Sequence, residues 1–219
     1  MSAEGRPAPD DRSGATASTV FFGVIVAGGR GRRLGGRDKP ALRVGNQSML
    51  DIAIGAVRGG LPSVRVVVVG PPRALPADVV QVREDPPGGG PAAAVAAGVT
   101  ALPNPGPEAV VAVVAADLPG LTADVIGRLA AALNPDRPTQ DPVGAQPGGV
   151  VLVDPDGRRQ YLTGVWRYAE LLAAVRRRPE WTGVALRELL APITVVELAG
   201  SAGETADVDT PADWGQWQS

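Results

Sequence analysis

Val26-Ala-Gly-Gly-Arg-Gly-Arg-Arg-Leu-Gly-Gly-Arg-Asp-Lys39 hangs directly on an apolar run, Val20 to Val26, and the reading of this junction decides the fold. Five glycines in the fourteen residues let the backbone bend tightly and come close to a ligand, while consecutive peptide N–H groups can converge on one anion. Arg30, Arg32, Arg33, Arg37 and Lys39 add side chains that attract such an anion, and a phosphate is the obvious guest. An Arg/Gly stretch read alone fits a solvated loop equally well. Its neighbours favour the phosphate: a strand-like run (Val20, Phe21, Phe22, Val24, Ile25, Val26) precedes it, and a helical stretch from about Ser48 to Arg58 follows. Open α/β sheets bind ligands there, beyond the carboxyl end of a strand. The spacing is neither G-x-x-x-x-G-K-[ST] nor G-x-G-x-x-G, which argues against a P-loop ATPase and an ordinary dinucleotide fold.

Outward from the loop, the pattern alternates. Strands are expected at Phe22 to Val26, Arg65 to Gly70, Val79 to Val82 and Val110 to Ala115, and helices near Ser48 to Arg58, Pro91 to Ala101 and Thr122 to Leu133. Short, nearly continuous Val and Ile runs mark strands buried on both faces, as in a parallel sheet. The expected fold class is therefore α/β: a doubly wound three-layer sandwich with a mostly parallel sheet. Residues 134 to 149 form a Pro/Gly-rich connection, a loop or a lid. Beyond it, Val150 to Val153 and Gln160 to Trp166 flank Asp154-Pro-Asp-Gly-Arg-Arg159, which reads as a small antiparallel hairpin turning at Asp156-Gly157. Helices near Ala169 to Arg178 and Gly183 to Leu190 and a strand Ile193 to Leu198 follow. Residues 1 to 19, rich in Pro, Gly, Asp and Ala, read as a disordered leader before a single domain from 20 to 219.

Composition narrows the chemistry. The 219 residues are 44% hydrophobic, enough to bury one sizeable core, and the net charge of −2 gives no footprint for nucleic acid. There is no cysteine and no histidine. Disulfides, thiol nucleophiles, Cys/His zinc sites and Ser-His-Asp triads are excluded, leaving carboxylates, lysine and arginine. A metal, if used, should be a hard cation such as magnesium. No apolar stretch reaches the roughly 20 residues needed to span a bilayer, and no signal-peptide core is seen, so a cytoplasmic location without a membrane partner is expected.

Three further segments carry candidate chemistry. Arg83-Glu-Asp-Pro-Pro-Gly-Gly-Gly-Pro-Ala-Ala-Ala94 is again a strand, a glycine loop and a helix start, or simply a stiff connection with Pro91 in the first helical turn. Asp117 ends the apolar run Val110 to Ala116 and would face the crevice of the glycine loop, while Thr122 is the better cap for the next helix. In Ala206-Asp-Val-Asp-Thr-Pro-Ala-Asp-Trp214, Thr210, Pro211 and Asp213 make a helix start, and Asp207 and Asp209 would point to one side of an extended segment.

The first loop resembles the signature L-A-G-G-x-x-x-R-M-G-x-D-K of the molybdenum cofactor guanylyltransferase (MobA-like) nucleotidyltransferases. Val26 and Leu34 stand at its apolar positions, and one extra residue before Asp38 is a spacing the family also shows. The resemblance implies a magnesium-dependent transfer of GMP from GTP to a molybdopterin-type acceptor. It implies nucleotide contacts from Val26, Ala27, Gly28, Gly29, Arg30, Gly31 and Lys39. The family's G-P-L-A-G loop, which follows an acidic residue and lies over base and ribose, falls on Asp85, Gly90 and Pro91, with Ala92 to Ala94 replacing Leu-Ala-Gly. Asp117 matches the family's metal-binding Asp in C-D-x-P, and Asp209, with Asp207 behind it, matches the second metal residue in D-x-D-T-P. Arg33, Lys39 and Asp117 become the catalytic set: Lys39 on the α-phosphate, and Arg33 with the Gly28 to Gly31 amides on the departing β and γ groups. The resemblance also sets Arg158, Arg159 or Gln160 of the hairpin beside the acceptor's phosphate, where a plain solvated hairpin is the other reading. Cytidylyl transfer, transfer to a sugar phosphate or phospholactate, and a noncatalytic nucleotide-binding module stay open, because the first loop alone does not choose among them.

Overall fold

The valine-rich runs become the middle of a seven-stranded sheet in the computed structural model, which describes residues 19–29, 34–103, 105–133 and 146–218. Arg30, Gly31, Arg32 and Arg33, residues 1–18 of the expected leader and residues 134–145 of the connection lie outside the described residues. In chain order the elements are β1 (Phe21–Val26), β2 (Arg43–Val44), β3 (Gln47–Ser48), α1 (Met49–Gly60), β4 (Arg65–Val69), β5 (Val80–Val82), α2 (Pro91–Thr100) and β6 (Val110–Ala115). There follow α3 (Ala123–Ala132), β7 (Gly149–Val153), β8 (Arg159–Arg167), α4 (Tyr168–Val175), α5 (Leu186–Leu190), β9 (Val195–Ala199), α6 (Ala202–Thr205) and α7 (Pro211–Gln216).

The strand order is β5-β4-β1-β6-β8-β7-β9. All neighbours pair in parallel except at β8, which runs antiparallel to both β6 and β7. The expected hairpin at 150 to 166 thus exists, but as part of the main sheet; the separate two-stranded antiparallel sheet is β2 with β3. From β1 the chain crosses to β4 and β5 on one side and returns to β6 on the other, so the topology switches direction at β1.

Successive strand residues face opposite layers, as the period of two requires. Ile25, Val66, Val68, Ala112, Val114 and Leu152 pack against α1 and α3, whereas Phe22, Val24, Val67, Val69, Val113 and Trp166 pack against α2, α4 and α5. Each buried Val, Leu, Ile or Phe among them, removed from water, stabilises by about 1.5–3 kcal/mol. Helix ends follow the sequence signals. Ser48 caps α1 in a reciprocal box with Asp51, and Thr122 accepts from the Val125 amide at the start of α3. Gly98 sets how closely α2 lies on β1, since a Cβ there would come within 2.4 Å of the Val24 side chain.

Candidate active site

β1, β4 and β6 end at one level, with Val26 opposite both Val69 and Ala115. The segments leaving this rim carry the candidate residues. On the β6 side, Asp117 follows the strand, and the 3-10 turn Lys39–Ala41, anchored by buried Pro40, presents Lys39. The Lys39 ammonium donates a hydrogen bond to Asp209 Oδ1 and lies 3.6 Å from Asp117 Oδ2. Three residues far apart in sequence therefore meet in one ion cluster, with the Lys39 side chain 15% exposed.

The C-terminal segment brings Asp209 to this place. The Val208 amide donates to the Asp117 carbonyl at 3.1 Å, and the Val208 side chain packs with Leu34, Leu42 and Met49. Alternation along this extended stretch buries Val208 and leaves Asp207 exposed. Just beyond, Thr210 and Asp213 form a capping box that starts α7, and Trp214 is held by its indole N–H to the Arg43 carbonyl with the Arg37 guanidinium over its ring.

These charges set one another. Burial pushes the Asp117 carboxyl above its ordinary 3.8, opposed by the Lys39 ammonium and reinforced by Asp207. Burial alone would lower Lys39, but its hydrogen bond to Asp209 and the charges of Asp117 and Asp209 outweigh this and hold it above 10.5. Asp38, next to Lys39, receives both terminal nitrogens of Arg73 at 3.2 and 3.4 Å. The same guanidinium donates to the Ala27 carbonyl at 3.0 Å and the Pro71 carbonyl at 3.3 Å, clamping both ends of the first glycine loop to the end of β4. Gly70 allows that approach, because a Cβ there would sit 2.6 Å from the Ala27 carbonyl oxygen.

On the other side of β1 lies a cavity of about 230 Å³ lined by Val26, Gly28, Gly29, Glu84, Gly88, Gly90, Pro91 and Ala94. Both glycine loops contribute, so Val26, Gly28, Gly29, Gly90 and Pro91 come together as one wall, with Ala27 buried behind them. Asp85 is not in this cavity. It is exposed and borders a separate cleft beside Ala93, Arg178 and Trp181.

Residues 23–196 match the family described as the MobA-like NTP transferase domain. The chain belongs to this family. Among relatives, the molybdenum cofactor guanylyltransferase of Acidiphilium cryptum is 39% identical over 111 residues, 50% of this chain and 56% of that one. The match to that relative thus spans little more than half its length. Among solved structures, Rv0371c from Mycobacterium tuberculosis superposes with a TM-score of 0.66 at 20% identity, covering 90% of this chain and 97% of that one. The 2-C-methyl-D-erythritol 4-phosphate cytidylyltransferase of Francisella tularensis gives 0.64 at 13% identity, covering 90% and 98%. At these identities the likeness shows a shared fold.

Within this MobA-like domain the hairpin residues are engaged with the scaffold: Arg159 pairs with Glu197 at 2.6 Å and Gln160 donates to Asp154 at 2.9 Å. Two residues escaped the sequence reading. Arg73 sits in a Pro-rich connection with no local signal. Glu84 is 7% exposed between exposed Arg83 and Asp85, a pattern that carrying the β5 alternation two residues further would have found.

Proposed function

We propose that this chain is a nucleotidyltransferase that moves GMP from GTP to a molybdopterin-type acceptor and releases pyrophosphate. The observation that carries the reading is the convergence of Lys39, Asp117 and Asp209 on the β6 side of the glycine loop, beside a cavity walled by both glycine loops. The name of the Acidiphilium cryptum relative supports the guanylyl reading.

In this reaction an acceptor phosphate oxygen bonds to the α-phosphorus and the bond to the β-phosphate oxygen breaks. The work is positioning and charge neutralisation, and no protein nucleophile is required. Lys39 holds the α-phosphate, shifting part of its contact from the two carboxylates. Arg33, with the Gly28 to Gly31 amides, takes the departing β and γ groups. Among the described residues no three acidic side chains gather into a self-sufficient metal cage, so Asp117 and Asp209 form a two-carboxylate donor set. That set suits magnesium, which is commonly bound by one or two carboxylates together with substrate phosphates. Bound there, magnesium would neutralise phosphate charge.

The test is pyrophosphate release from each of the four ribonucleoside triphosphates with magnesium, with and without molybdopterin. Release with GTP only when molybdopterin is present is the expected result. Equal or faster release with CTP overturns the base assignment, and tight nucleotide binding with no release for any acceptor turns the reading to a noncatalytic module.

A further inference from the structure

Arg73 leaves β4 on a short Pro-rich connection, and every nitrogen of its guanidinium is engaged. Nε donates to the Pro71 carbonyl at 3.3 Å, Nη1 to Asp38 Oδ2 at 3.2 Å, and Nη2 to the Ala27 carbonyl at 3.0 Å and Asp38 Oδ1 at 3.4 Å. The arm is itself braced. Gln81 of β5 accepts the Arg73 amide at 3.2 Å and donates to the Pro71 carbonyl at 2.6 Å, so a second strand sets the fork from behind. With its nitrogens taken and its side chain 11% exposed, Arg73 is not placed to hold a phosphate itself.

What the fork adds is the position of Asp38. The start of the first glycine loop is fixed without it, because the Ala27 amide donates to the Val69 carbonyl at 2.8 Å and Val26 is paired with Val69 and Ala115. Asp38 lies on no strand. It stands at the N-cap of the 3-10 turn that presents Lys39, yet its side chain makes no capping bond there, and both its oxygens go to Arg73. An aspartate at such a position ordinarily accepts from the amides of its own turn. Giving up the cap for a two-point grip by a planar guanidinium fixes where the turn sits against the rim. Lys39 is the next residue, and its ammonium lies between Asp117 and Asp209.

Resting on the reading of Lys39 as the contact to the α-phosphate, we infer that Arg73 is a positioning residue for nucleotidyl transfer, which by gripping Asp38 sets Lys39 at the reaction centre. An arginine with a structural role alone lowers the melting temperature and leaves the rate of the folded protein unchanged. A positioning arginine changes the rate, and only while Lys39 is there to be positioned. Misplacing a group at the reaction centre by about 1 Å costs up to about 100-fold, and loss of the grip on a neighbouring residue should cost about 10-fold.

Pyrophosphate release from GTP with magnesium and molybdopterin tests this, followed under single-turnover conditions at a temperature where wild type and variants are folded. Arg73→Ala should lower the rate about 10-fold, and Asp38→Asn, which weakens the grip from its other side, should lower it too. Arg73→Lys should stay close to Arg73→Ala, because one ammonium cannot span Ala27 and both Asp38 oxygens. In a Lys39→Ala background the same changes should add no further loss. Asp38→Asn carries the test if the Arg73 variants do not fold. A wild-type rate in folded Arg73→Ala or in Asp38→Asn, or an equal further loss in the Lys39→Ala background, overturns the positioning role alone. A wild-type rate in Lys39→Ala, or no release from the wild type with any triphosphate, overturns the transfer reading and this assignment with it.

Discussion

The two sides of the β1 rim treat their charges in opposite ways. On the β6 side, Lys39, Asp117 and Asp209 satisfy one another across long stretches of sequence. On the β5 side, Glu84 braces its own loop through one oxygen and keeps the other buried. The first arrangement is an ion cluster shared by three segments, which on the proposed mechanism gives up part of its contacts to a phosphate. The second is a lone buried carboxylate held by its own loop. Mutation should therefore act differently on the two sides: on the charged side through turnover and metal, at Glu84 through the hold on its own loop.

The largest expected effect is at Lys39. Lys39→Ala should cut turnover about 100-fold or more, the scale of losing one preorganised charge contact, as followed by pyrophosphate release. It also removes the ammonium that lies between Asp117 and Asp209, so the variant should melt lower than wild type without magnesium and recover when magnesium is added. Wild-type turnover in Lys39→Ala would remove the β6 side from the reaction.

Asp117→Asn comes next. Magnesium affinity and turnover should fall together by roughly 10-fold or more, while a purely structural Asp117 would lower the melting temperature and leave magnesium affinity unchanged. Titrating magnesium into the folded variant separates the two.

The clamp at Arg73 gives a smaller effect, in stability. Arg73→Ala removes hydrogen bonds to Asp38 and the Ala27 carbonyl and should cost about 1.5–3 kcal/mol in urea unfolding. Arg73→Lys should restore little of it, since a lysine cannot reach both ends with a planar fork. Full rescue by lysine would reduce the clamp to a simple charge pair.

The smallest effect is the pH response of the ion cluster. Because Lys39 sits above its ordinary 10.5 in the fold, its contribution is complete below that value and is lost as pH rises through the higher folded value. The stability difference between wild type and Lys39→Ala should therefore shrink above pH 10.5. Asp117 works the other way: its raised value makes the folded chain hold that proton more firmly, so stability from this group declines as pH rises from 3.8. Magnesium binding should correspondingly weaken on acidification at a higher pH than an ordinary aspartate would give. A difference that grows with alkalinity would mean the pairing is not what the fold relies on.

Much of this was legible in the residues. The runs Arg65 to Gly70 and Val110 to Ala115 announce buried strands by composition alone, and Ser48, Thr122 and Thr210 mark helix starts because their hydroxyls answer first-turn amides. What hid was set by tertiary pairing. The hairpin at 150 to 166 has the same alternation whether it stands apart or joins the sheet, so its place between β6 and β9 could not be read locally. The helix expected from Gly183 starts only at Leu186, since Gly183 takes a left-handed φ of 70° and the chain turns there first. β2 and β3, two residues each, fall below any periodic signal. In the site, Lys39 stood out as a cation of the glycine loop and Asp117 as the acid ending its strand, whereas Glu84 was masked by the neighbouring Asp85, the more conspicuous acid before the second glycine loop.

Asp209 arrives late. By the time it is synthesised, all nine described strands and both large apolar clusters have been translated. What remains is a strap: α6 moored to α3 by the Arg128–Glu204 pair, then Val208 clipped to Asp117, then α7 seated on the first loop. A chain broken off after β9 would keep every strand of the sheet and Asp117 beside Lys39 but lack Asp209. On the proposed mechanism, transfer therefore waits on translation through this last stretch, and the strap works as a check that the chain has been made to its second carboxylate.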